Sequence, residues 1–450
     1  MNDTVREFSG VFSKHKSIFI FLSILISFEI FIVYIMFYES PALAIGLILF
    51  ITLSLLIFLY EDLFLYLIFF LIFSGFSELS PLSRFHPILA LGLVGVLHVL
   101  YLWIVKEKKY RLGSTHFALF GFMLMILVSG FEARNASLFY ERSYWLLRSI
   151  AVYVFAQAIF YNIKRVENAM NTIIVALMLN ILYVFYFLLT SPYGFSILNL
   201  GGIWRAGGAY FDPNIWATML LLGFMFSLYM FNKNKEVNRK LFYFFSIGLI
   251  GSGIILSFSR SGFLVFSFLI ILLILEKWKA KGIAVSLIIL LTLVTLIYTL
   301  PYFVRYKTIL NAIIRGEFLD LSIRERINLL KLSLQLFKKH PITGIGIGNF
   351  LEYSSVLSSR AKLVHSMYLE ILCETGILGA IFFVFIILNN AYRLYKLRHK
   401  NTIYYYLCYA LLGIMLMGLT LSIEFHTFLW AVIGLSEASI NSEKMVQMPQ

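Results

Sequence analysis

Apolar runs separated by short polar, mostly basic segments repeat along nearly the whole 450-residue chain. They fall at 17–37, 42–60, 63–76, 87–105, 117–131, 145–161, 168–190, 214–231, 241–258, 262–275, 282–300, 366–390, 403–422 and 427–440. A helix needs roughly 20 apolar residues to cross a hydrocarbon core, and most of the runs approach or meet that length. The shorter ones (63–76, 117–131, 262–275, 427–440) predict half-helices or segments that merge with a neighbour. The pattern therefore predicts an all-α polytopic membrane protein with 12–14 transmembrane helices.

The pattern breaks once, between 301 and 365. There Ile323, Ile327, Leu330, Leu334 and Phe337 recur at helical spacing after Ser322, a good N-cap, and before Pro341. This predicts an amphipathic helix that carries Arg324, Arg326, Lys331, Lys338 and Lys339. It is too polar to cross a bilayer and suited to lying at headgroup depth. The chain accordingly divides into N-terminal spans (1–200), spans with Arg-bearing outward loops (201–300), a large outward loop with the surface helix (301–365) and C-terminal spans (366–450).

Composition agrees, with 60% hydrophobic, 17% aromatic and only 13% charged residues. The net charge of +14 is scattered through short loops, which argues for membrane topology and against nucleic acid as a partner. With the N-terminus inside, the inward segments hold 21 of the 37 Lys and Arg, so both termini are expected in the cytoplasm. The first run is long enough to remain as an anchor, so no cleavable signal is expected. Cys373 and Cys408 lie in apolar runs, which argues against a disulfide framework or a thiolate metal site.

The 301–365 segment then faces outward with ten basic residues, against the usual bias. Three other outward loops accompany it. One is the Gly-rich stretch from Gly201 to Asn214 with Arg205, one is Ser257–Gly262 with Arg260, and one contains Glu424 and His426. Each residue has an ordinary reading: Arg260 as a snorkelling anchor, Arg326 as a solvated helix face, His365 as an interfacial polar group. Gly344, Gly346 and Gly348 follow no strand and precede no Lys-Ser/Thr, so they read as a turn for close backbone packing, not a nucleotide loop. Arginine forks bind diphosphate oxygens bidentately and stay charged, and a histidine titrating near neutrality can take a proton from a sugar hydroxyl. The outer face shows no convincing acidic or His cluster for a divalent ion, so neither a metal nor another cofactor is expected.

At these residues the chain resembles the bacterial O-antigen ligases and the related O-antigen and exopolysaccharide polymerases. Three pieces carry the resemblance: Ser259-Arg260-Ser261-Gly262; Arg326 followed by Pro341 and Gly344-Ile345-Gly346; and His365-Ser366 followed by Gly376 and Gly379. Arg205 and the Asp212-Pro213-Asn214 turn fit the family's Gly-Pro-Asn loop more loosely. Leu330 stands where many relatives have tryptophan, and His365-Ser366 where many have His-Asn.

The resemblance implies a GT-C-type membrane glycosyltransferase in the bacterial inner membrane with its site on the periplasmic side. It implies an inverting, metal-independent transfer of a glycan from undecaprenyl diphosphate to an acceptor, a lipid A core sugar for a ligase or another lipid-linked repeat for a polymerase. Arg260 and Arg326 would face the diphosphate, with Arg324, Arg205 and Asn214 contributing to binding, and His365 would act as base. A transporter or flippase for the same lipid-linked sugar is the alternative of another class. It predicts ionisable residues along a path through the spans, of which Arg148, Glu29 and His98 are the few visible.

Overall fold

The computed structural model describes residues 61–76, 113–160, 162–190, 205–210, 212–299, 321–355 and 361–446, with isolated positions between 95 and 104. The runs read at 17–37 and 42–60, nearly all of 87–105, and residues 301–320 lie outside the described residues. The helices, in order, are α1 (Glu61–Ser74), α2 (Ser114–Ser129), α3 (Ala136–Ile159), α4 (Ile163–Thr190), α5 (Pro213–Lys233) and α6 (Val237–Leu256). They continue with α7 (Arg260–Thr299), α8 (Leu321–Lys339), α9 (Phe350–Ser355), α10 (Met367–Leu397), α11 (Thr402–Met417) and α12 (Thr427–Val446). Six of the described helical segments are long and apolar enough to cross a membrane, as expected of an all-α multi-pass membrane protein.

The runs at 262–275 and 282–300 are joined in α7, which is broken at Lys279, the one residue there in the left-handed region (φ 46°). A Cβ on nearby Gly282 would lie 2.7 Å from the Ile274 carbonyl oxygen, so the chain folds back closely at this break. The helix α5 is the hub of the described bundle. It is buried along nearly its full length and packs on α4, α6 and α11. Around it α3 pairs with α12, and α2 with α10.

The ionisable groups sort to the two ends of the bundle. At one end Lys233 pairs with Glu167, Tyr409 donates to Glu276 at 2.5 Å, and Arg393 pairs with Glu437 at 2.7 Å. Buried acids inside the spans are more numerous than the sequence suggested, with Glu167, Glu370, Glu374 and Glu437 all buried. Between Glu374 and Arg393, α10 carries no Asp, Glu, His, Lys or Arg, so its charged side chains sit near its ends.

Candidate active site

At the opposite end the glycine turn shapes everything near His365. Gly344, Gly346 and Gly348 all have left-handed backbone (φ 72°, 90° and 78°), a conformation only glycine adopts freely. This lets residues 341–346 lie directly across α10 where that helix is broken at Gly376 (φ 70°). Ile345 N–H donates to the Cys373 carbonyl at 3.0 Å, Gly346 N–H to that of Glu374 at 3.0 Å, and Ile377 N–H to that of Pro341 at 2.9 Å. The backbone groups exposed by breaking α10 are thus satisfied by the turn. The reading of this glycine series as a packing turn holds.

The amphipathic helix α8 ends at Lys339, before Pro341, as predicted, and its described part begins at Leu321. Its buried face is also rotated from the stripe read in sequence. Leu329, Ser333 and Leu336 are buried, whereas Ile327 and Leu334 are 38% and 42% exposed. The reason is tertiary: Leu329 and Leu336 join Ile345, Phe350, Val364 and Cys373 in a small core between α8, the turn and α10. This rotation leaves Arg324 exposed and half-buries Arg326. Lys362 pairs with Glu325, which ties α8 to the strand of chain leading into His365.

His365 sits in the left-handed region at φ 60°, a strained backbone for a residue with a Cβ. Two contacts over-determine it. Val364 N–H donates to Glu370 Oε2 at 3.1 Å, and His365 N–H donates to Ser422 Oγ at 3.2 Å, while the Ser422 hydroxyl in turn donates to Glu370 Oε2. Glu370 therefore holds the backbone at Val364 directly and at His365 through Ser422. Glu374 accepts from Phe350 N–H at 3.1 Å and pins the end of the glycine turn. Ser366 occupies the N-cap position of α10, but its side chain makes no capping bond. Met367 N–H is taken up by the Gly418 and Leu421 carbonyls, both at 2.9 Å.

Burial holds the His365 imidazole below the ordinary histidine value, and the nearby Arg326 guanidinium pushes in the same direction, while Asp212 and Glu325 pull the other way. The result is a neutral ring at neutral pH, able to accept a proton. Those influences also place Arg326, His365 and Asp212 in one neighbourhood.

A second group meets the first at the start of α5. Asp212 caps that helix, accepting from Asn214 N–H at 2.7 Å and Ile215 N–H at 3.1 Å. Asn214 Oδ1 accepts from Arg205 Nη2 at 2.9 Å and from Ser259 Oγ at 2.8 Å. Arg205 also reaches the Ser257 carbonyl at 3.4 Å. Ser259 immediately precedes Arg260, which opens α7 half-buried, and Phe258 before it is another non-glycine residue with left-handed backbone (φ 46°). Arg205, Asn214 and Arg260 are thus brought to one loop cluster, Arg326 and His365 to another, and Asp212 joins them. Arg324 is exposed on α8.

One residue near the site, Arg142, has no local sequence signature. Arg142 of α3 acts electrostatically on Glu370, Glu374 and Glu424 and lies over the Phe425 ring at 5.6 Å. Burial and the neighbouring Glu370 carboxyl raise the Glu424 carboxyl well above the usual range. His426, which like His365 feels Asp212, is pushed down to about 4 by burial.

No curated protein matches the chain. Residues 245–384, which run from α6 into α10 and contain Arg260, Arg324, Arg326, the glycine turn and His365, match the family model described as O-antigen ligase. Arg205 and Asn214 precede that segment. Over that segment the chain is similar to the O-antigen ligase family.

Proposed function

We propose that this protein moves a glycan from a polyprenyl diphosphate to an acceptor sugar, with chemistry done by Arg326, Arg260 and His365 at the end of the bundle just described. What supports the reading is a neutral, rigidly held histidine that feels both Arg326 and Asp212, Asp212 being the cap of α5 beside the Arg205, Asn214 and Ser259 cluster. The acceptor hydroxyl oxygen attacks the anomeric carbon as His365 takes its proton. The bond from that carbon to the diphosphate breaks on the opposite face, and the electron pair leaves with the diphosphate, whose charge the guanidinium groups hold. Attack opposite the leaving group inverts the anomeric centre, and the arginines supply the electrostatic stabilisation without a metal ion. A lipid A core sugar is the acceptor we favour, because the matching family model is described as a ligase; a second lipid-linked repeat is the acceptor in the polymerase reading.

Arg326→Lys keeps the charge but loses the planar fork. With purified protein, lipid-linked donor and acceptor, we expect transfer about tenfold or more below wild type, with weakened donor binding. Wild-type turnover at unchanged donor affinity would remove Arg326 from the diphosphate site.

The charge distribution supports an inner-membrane orientation with the His365 end on the periplasmic side. Ala361 and Lys235 are both exposed, one near His365 and one at the basic end. In a background lacking Cys373 and Cys408, Ala361→Cys should react with an impermeant maleimide in spheroplasts, and Lys235→Cys only after permeabilisation. The reverse labelling would put the site in the cytoplasm.

A further inference from the structure

The end of the bundle opposite His365 contains a polar cavity of about 570 Å3, walled by α4, α5, α6 and α11 and lined by Lys164, Glu167, Asn171, Tyr229, Lys233 and Arg239 among others. Its lining carries three cations against one carboxylate, and that carboxylate is already committed. Glu167, 9% exposed, accepts from Tyr229 Oη at 2.5 Å and pairs with Lys233. Arg239 meets Glu236 through Nε at 2.7 Å, in a pair whose side chains are mostly exposed, so solvent screens the pairing and it is weak. Lys164 has no carboxylate within ion-pair reach among the described residues. Asn171 uses its Oδ1 to accept from Tyr243 Oη at 2.9 Å, leaving its amide N–H groups as donors.

Backbone adds to the same sign. The helices α4, α6 and α11 all begin at this cavity, and helix N-termini carry partial positive charge; Asn162 and Asn401 cap α4 and α11 by accepting from Arg165 N–H and Ile403 N–H, and the other first-turn N–H groups add to the same sign. Helix ends alone would be satisfied by water. Here they surround a walled space containing an uncompensated lysine, an arginine fork and an amide, the donor set that a compact oxyanion takes. The space is also larger than a bare phosphate requires, which leaves room for the glycerol of a lipid headgroup.

We propose that this cavity binds a phosphate group, carried either on the headgroup of an anionic phospholipid or free in solution. The proposal does not depend on the transfer reaction, since its residues lie at the far end of the helices from His365. It is tested by titrating the purified full-length protein, in detergent, with short-chain phosphatidylglycerol and separately with inorganic phosphate. Binding is followed by calorimetry in wild type, Lys164→Ala and Arg239→Ala. Both substituted side chains are at the surface, and an unchanged melting profile confirms that each variant is folded. Saturable phosphatidylglycerol binding that weakens about tenfold in each variant, the loss expected for one charge-assisted hydrogen bond, supports the proposal with a lipid source. The same sensitivity seen for inorganic phosphate supports it with a soluble source. Binding of neither probe, or binding that both folded variants retain at full strength, overturns it.

Discussion

Replacing His365 with alanine should slow glycan transfer about 10²- to 10⁴-fold, the range a positioned general base contributes, while donor binding survives. The expectation rests on a side chain that the fold holds neutral and rigid. Burial and Arg326 lower its proton affinity, and Glu370 and Ser422 hold its strained backbone in place. The pH dependence carries the sign of that environment. Because the imidazole sits below its ordinary 6.5, the neutral, base-competent form persists as pH falls through 6.5. The acid limb of the wild-type rate should therefore lie below that value, and His365→Ala should lose the limb together with the rate. A His365→Ala enzyme that transfers at near wild-type rate would take this histidine out of the chemistry and turn attention to His426 and Glu424.

Gly376→Ala should be among the most damaging single-methyl changes at the described glycines. A Cβ there would stand 2.1 Å from the Ile342 carbonyl oxygen and 3.1 Å from Gly344 N, with backbone at φ 70°. Neither neighbour is a flexible side chain, so the turn and the broken helix must separate. The left-handed penalty and the overpacking together amount to about 2–4 kcal/mol. Because Ile345, Val364 and Cys373 share the small core beneath α8, separation also moves Arg326 relative to His365. Thermal unfolding of the purified variant should show the loss, and transfer should fall with it. Gly248→Ala is the control. Nothing lies within 4 Å of its added carbon, and inside α6 alanine is the better helix former, so its melting temperature should hold or rise. Equal melting of Gly376→Ala and wild type would mean that the crossing is looser than these distances state.

The places where the sequence succeeded and failed follow the range of the interactions involved. Spans are legible because twenty apolar residues have no other stable home than lipid, and charge alternation orders them. The end of α8 before Pro341 and the glycine turn are legible because backbone sterics act over a few residues. Arg260, Arg326 and His365 stood out because they lie in outward segments within motifs that resemble the O-antigen ligases. The buried face of α8 was not legible, because Leu329 and Ile327 are both plausible core residues until α10 and the turn present one groove and not another. Glu370 illustrates the same limit, since it is recruited by Val364 N–H and by Ser422, a partner from a distant loop. Thus local chemistry by itself determined that this chain is a bundle of membrane helices with arginines and a histidine in its loops. Only tertiary packing decided that Asp212, Arg326 and His365 meet, since nothing near any of them in the chain encodes the other two.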